Sequence, residues 1–195
     1  EMFTRATKRL KLGNGLDKDT DVGPLVNKTQ MERVLRYIQI GTEEGAKLLT
    51  GGKVHQIGSC RRGYFIEPTV FSDVTPEMRI AREEIFGPVV SVLRANHLED
   101  AIAIVNDTNY GLVSSIYTED VSKSAVAERE LDTGIVYINA STIGAEIQLP
   151  FGGTKKSGIG YREAGGRGGA LDMFTKWKVV YRDYSGKLQK AQIDR

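Results

Sequence analysis

The sequence predicts an α/β fold built on a mostly parallel sheet covered by helices. Three observations carry this: short runs rich in β-branched residues, segments with apolar residues at helical spacing, and regular alternation between the two. The connections are about long enough for crossovers, which parallel strands require. A chain of 195 residues, 40% hydrophobic and 27% charged, buries an ordinary core as one domain with a tail.

Phe3, Ala6 and Leu10 fall at helical spacing, so a helix opens the chain. Met31, Val34, Leu35 and Ile38 then repeat at i, i+3, i+4 and i+7 behind a cap at Asn27, and Gly41 and Gly45 interrupt the end. "AKLLTGG" reads as a short strand closed by Gly51 and Gly52, followed by a polar loop through Cys60. "YFIEPTVF" is strand-like in composition, but Pro68 places it at a sheet edge or outside the sheet. "VVSVLRA" is a better strand. Leu98, Ala101, Ile102 and Val105 predict a second amphipathic helix, "LVSSIYT" a strand, Val121 to Leu131 a third helix, and "GIVYINA" another strand. "GGALDMF" forms a short helix, and "WKVVYRDY", Trp177 to Tyr184, alternates like a strand.

Composition excludes several classes. With 27 basic and 25 acidic residues the net charge is +2, which gives no electrostatic footprint for nucleic acid or an anionic membrane. No apolar run is long enough to span a bilayer and the first residues lack the core of a signal peptide, so a cytoplasmic location is expected. The single cysteine, Cys60, forms no internal disulfide, consistent with a reducing compartment. Beside Arg61 and Arg62, in a glycine-flanked polar loop, it reads as an incidental surface thiol.

Several motif shapes fail on inspection. "DKDTDVG", Asp17 to Gly23, mimics a calcium loop, yet its glycine comes one place late and Lys28 stands where a bidentate glutamate belongs. It reads as a solvated acidic turn. "GGTKKSG" lacks the glycine-lysine-serine order of a phosphate loop, and His55, His97 and Cys60 cannot make a closed zinc site. No metal site is expected.

"REEIFGPVV", Arg82 to Val90, sets Glu83 and Glu84 at the mouth of an apolar strand. Ionised carboxylates resist burial unless paired, so either both are solvated or one holds a ligand. The residue pattern leaves both readings open.

"KLGNGLDKDTDVGPLV", "GYFIEPTVF", "EEIFGPVVSV", "NDTNYGLVSSIYTED", "TGIVYIN" and "PFGGTKKSGIGYREAG" occur in that order, and the chain resembles the C-terminal portion of an NAD(P)-dependent aldehyde dehydrogenase almost throughout. The resemblance implies the catalytic-domain fold of that family, closed by a C-terminal oligomerisation strand. It also implies a role for Glu84, whose family counterpart accepts hydrogen bonds from the nicotinamide ribose hydroxyls; a carboxylate with two acceptor oxygens suits that role. Glu83 is then the solvated acid. Phe86 matches the aromatic packed near the nicotinamide, with Gly87 and Pro88 shaping the turn. Phe151 matches an aromatic lining the aldehyde tunnel. "GAEI", Gly144 to Ile147, resembles the loop with which semialdehyde-handling branches hold the distal carboxylate, through backbone N–H groups near Gly144 and Ala145. The alternative is that "GAEI" only shapes the loop.

In this family a cysteine attacks the aldehyde, the thiohemiacetal passes its hydride to NAD or NADP, and a glutamate activates the water that releases the acid. Both groups, and the N-terminal cofactor domain, precede the segment that this chain matches, and Cys60 does not match the nucleophile's motif. The resemblance therefore implies a fragment or truncated product, inactive alone, with residues 1–165 from the catalytic domain and 166–195 forming the tail. The strand from Trp177 to Tyr184 is expected to join an intersubunit sheet and give a homo-oligomer. The glycine-rich segment Gly152 to Gly169 resembles the return toward the cofactor domain, and "REAGGRGGALD" departs from the commoner family spacing, which leaves the register of the last helix open. The alternative to an enzyme piece is a catalytically inactive oligomerisation or regulatory module from a shortened gene.

Overall fold

The structure is a computed structural model that describes residues 1–144, 146, 149–158 and 169–186. Helix α1 (Met2–Thr7) opens the chain, and α2 (Lys28–Glu43) follows behind Asn27, whose Oδ1 accepts from the Gln30 N–H at 2.8 Å. This is the capping geometry that satisfies an otherwise orphaned donor of the first turn. Strand β1 (Lys47–Thr50), a 3-10 turn (Gly58–Arg62), β2 (Thr69–Ser72), α3 (Arg79–Arg82) and β3 (Val89–Ser91) complete a first block. Its sheet has the order β1-β2-β3, antiparallel at β1–β2 and parallel at β2–β3.

Strand β2 is therefore central, a correction to the edge position expected from Pro68. The proline stands one residue before the strand, so the ladder loses no donor: the first strand N–H, of Thr69, donates to Pro88 O at 2.8 Å. Phe71, 0% exposed, anchors the core with Val34, Ile38, Ile66 and Ile80, and its neighbour Val70 is 1% exposed. Helix α2 presses onto this core at Gly41, where a β-carbon would meet Ile80 Cδ1 at 2.8 Å. A glycine in mid-helix is explained by that close approach.

The second block contains α4 (Leu98–Asn106), β4 (Tyr110–Gly111), β5 (Val113–Ile116), α5 (Val121–Glu130), β6 (Ile135–Ile138) and β7 (Thr154–Lys155). β5 and β6 pair in parallel around the α5 crossover, as the alternation predicts, and β4 pairs antiparallel with β7. Asp120 caps α5 by accepting from Ser122 and Lys123 N–H. The Asn106 side chain joins the helix ends, donating to Glu130 O at 2.7 Å and accepting from Asp132 N–H at 2.8 Å. The α/β class with parallel pairing thus holds.

A short helix α6 (Ala170–Phe174) follows. Residues 177–184 lie outside every strand, and Val179, Val180, Tyr181 and Tyr184 are all exposed. A ladder needs a second strand, so alternation alone does not make one within this chain. The boundary expected at 165/166 and residues 162–168 of "REAGGRGGALD" lie outside the described residues. Among those residues no helix is long and apolar enough to cross a membrane.

Candidate functional site

The turn Glu83–Pro88 leaves α3 and enters β3, and its backbone is fastened to one face of α2. Gln30, Arg33 and Tyr37, at helical spacings of three and four, lie on that face. Gln30 Nε2 donates to Ile85 O at 3.0 Å and Phe86 O at 2.9 Å, and Arg33 Nη2 donates to Glu84 O at 2.7 Å. At Gly87 a β-carbon would meet Val34 Cγ2 at 2.5 Å, so only glycine lets the turn lie this close to the helix.

The two acids of the turn have different fates. Glu83 accepts from Arg79 Nε at 2.8 Å, Arg79 Nη2 at 2.9 Å and the Tyr37 phenol at 2.6 Å. The Arg79 guanidinium and then the Tyr37 hydroxyl hold its carboxyl down to about 2. The Tyr37 hydroxyl is raised above its ordinary range, first by that hydrogen bond and then by burial. Arg33 and Arg79 lie 5.2 and 5.5 Å from the Tyr37 ring centroid. Glu83 keeps its side chain 40% exposed, as expected of a solvated acid, and is in addition claimed by an arginine four residues earlier on α3 and a tyrosine from α2.

Glu84 is exposed, and among the described residues nothing donates to its carboxylate. It lies on the wall of a cleft of about 740 Å³ between the two blocks. Leu93, Ile104, Val105 and Leu112 supply apolar lining, and Lys156 and Ser157, from the "GGTKKSG" segment, reach the same cleft. Arg82 spans one side, donating to Pro76 O at 3.2 Å and pairing with Asp107 Oδ2 at 2.9 Å.

Phe86 takes a left-handed backbone with φ 57° and projects its ring, 75% exposed, into a separate groove with Pro24, Leu25, Val26 and Gln30. Glu84 and Phe86 are thus held by one turn but line different hollows. Phe151 is half-buried beside β7 and lines neither hollow. Gly144 is exposed, at φ 90°, and its carbonyl accepts from the Tyr137 hydroxyl at 2.5 Å. Ala145 lies outside the described residues.

Cys60 is not the surface thiol expected. It is 3% exposed, packed within the 3-10 turn with Sγ 3.7 Å from Leu12 O, and it does not line the cleft that holds Glu84. The Asp17–Gly23 turn contributes Asp21, whose carboxylate accepts from Lys11 N–H at 2.8 Å. Among the described residues no cluster of three His, Cys, Asp or Glu side chains is placed to hold a metal. Sequence reasoning missed Gln30, Arg33, Tyr37 and Arg79; the shared helical face of the first three was the available signal.

The family model for the aldehyde dehydrogenase family matches residues 1–180, and the chain belongs to that family. It is 41% identical over 181 residues to an alpha-ketoglutaric semialdehyde dehydrogenase of Bacillus subtilis, covering 93% of this chain and 37% of that protein. It is 44% identical over 181 residues to a betaine aldehyde dehydrogenase of Brucella anthropi, covering 93% and 36% respectively. The fold superposes on the crystal structure of betaine aldehyde dehydrogenase from Staphylococcus aureus in complex with NAD+ with a TM-score of 0.78 and 36% identity, over 81% of this chain and 31% of that one. The chain thus spans little more than a third of the length of the curated relatives it matches.

Proposed function

We propose that this chain forms part of an oxidoreductase that oxidises an aldehyde to its acid with NAD or NADP, and that Glu84 receives the nicotinamide ribose. The observation that carries the reading is the division of labour at the turn: Glu83 is paired with Arg79 and Tyr37, while the neighbouring Glu84 carboxylate is unclaimed among the described residues and faces a cleft. A vicinal diol needs an acceptor with two free oxygens, and Glu84 fits that donor set. Bound there, the dinucleotide would supply the hydride acceptor. Phe86 is the aromatic partner at the same turn, and Phe151 a wall of the aldehyde pocket. Backbone N–H groups at Gly144 and Ala145 hold a substrate carboxylate; the relative from Bacillus subtilis, named for a semialdehyde carrying one, supports that choice. Homo-oligomer formation is assigned to residues 177–184, whose Val179, Val180 and Tyr181 stand exposed.

The test is Glu84→Gln in the protein at its natural length. Loss of one charge-assisted acceptor lowers affinity for the dinucleotide by about tenfold and slows hydride transfer. Unchanged hydride-transfer rates and nucleotide affinity would overturn the assignment.

A further inference from the structure

Successive residues of the turn that carries Glu84 are tied to α2 or α3. The Glu83 carboxylate is gripped by Arg79 and Tyr37, the Glu84 carbonyl by Arg33, and the Ile85 and Phe86 carbonyls by Gln30. Ile85 is itself buried, 8% exposed. The Glu84 carboxylate takes part in none of these ties. Phe86 sits at φ 57°, a conformation that non-glycine residues keep only when their surroundings impose it. The hydrogen bond from Gln30 to its carbonyl is such a restraint.

We infer that Gln30, Arg33 and Tyr37 on α2, with Arg79 on α3, are positioning residues that aim Glu84 into the cleft by clamping the backbone and the neighbouring acid of its turn. The inference rests on the reading of Glu84 given above. A carboxylate that must meet two hydroxyls at once gains from a backbone that cannot swing, because ordering it beforehand removes that cost from binding. Exposed turns of a few residues otherwise sample many conformations. Tyr37 and Glu83 act through Glu84 without touching its ligand: the phenol ends on the acid one residue earlier.

The experiment uses Tyr37→Phe, which keeps the ring and removes only the hydroxyl, and Gln30→Ala, which releases Ile85 and Phe86. Both are made in the protein at its natural length, with and without Glu84→Gln. Amide hydrogen exchange of the peptide spanning residues 80–90 is measured without nucleotide, and NADH affinity by fluorescence titration. The clamp predicts faster exchange confined to this turn in both variants. It also predicts a loss of NADH affinity of roughly three- to tenfold that disappears when Glu84 is already glutamine. Unchanged exchange in both variants would overturn the clamp, whatever the affinity does. Equal affinity losses in the two backgrounds would overturn the coupling to Glu84 and leave a structural role only. Failure of Glu84→Gln itself to weaken NADH binding, with exchange still faster in the variants, would instead remove the ribose reading and retain the clamp.

Discussion

The Tyr37 hydroxyl donates to the Glu83 carboxylate at 2.6 Å, and the same carboxylate is paired to Arg79 at 2.8 Å. Its proton affinity is therefore depressed in the folded chain to about 2 from an ordinary 4.5, with Arg79 the larger cause. The folded form binds fewer protons than the unfolded one between these values, so stability falls as the solution is acidified. The contribution is whole above about pH 4.5 and is lost as pH falls through about 2. Tyr37 acts in the opposite sense: its raised value stabilises below pH 10.0 and the effect is lost above it. Glu83→Gln is expected to flatten the acid limb of a Tm-against-pH curve. The Glu83 side chain is 40% exposed, so solvent screens the pair and the flattening is modest.

Phe71 should dominate the first block's stability. Its ring is 0% exposed on the central strand and touches the point where α2 meets α3. Phe71→Ala is expected to cost about 3–5 kcal/mol, and Asn27→Ala, which removes only the cap of α2, about 1 kcal/mol. Urea denaturation midpoints separate the two; equal losses would mean that the core lies elsewhere.

Much of this fold was legible because local rules and tertiary packing agree. The cap at Asn27, the spacing Val34–Ile38, and the strand, helix, strand succession from Val113 to Ile138 form as their residues predict. The failures have definite causes. Pro68 misled because the rule against proline in a central strand applies within the ladder, and this one sits just before it. Cys60 misled because its charged neighbours suggested solvent, while the 3-10 turn directs the thiol inward against Leu12. At Glu83 the pairing with Arg79, four residues earlier, was within reach of inspection, while the bond from Tyr37, 46 residues away in sequence, was not.

Gly134 marks the seam between β6 and the segment leading to β7. A β-carbon there would fall 1.8 Å from Gly152 O and 3.0 Å from Gly153 Cα, and backbone cannot yield as a side chain tip can. Gly134→Ala is expected to destabilise by about 1–3 kcal/mol through overpacking. If Phe151, which adjoins Gly152, walls the aldehyde pocket as proposed, the same variant raises KM for the aldehyde more than it changes the dissociation constant for NADH. A proportional rise in both would place Phe151 outside the aldehyde pocket.

Tyr137 offers the most direct test of the carboxylate-holding role proposed for "GAEI". Its hydroxyl donates to Gly144 O from strand β6, which fixes the start of "GAEI" against a regular element. Gly144 has φ 90°, a backbone conformation open to glycine that lets main-chain N–H groups approach an anion closely. Tyr137→Phe frees this anchor while keeping the ring packed. If the loop holds a substrate carboxylate, kcat/KM for an acid-bearing semialdehyde falls by about threefold or more, the range of one neutral hydrogen bond, while that for a plain aliphatic aldehyde of equal length is unchanged. Equal losses on both substrates would mean that the loop shapes the pocket without recognising charge, and Gly144 would then be a turn residue only.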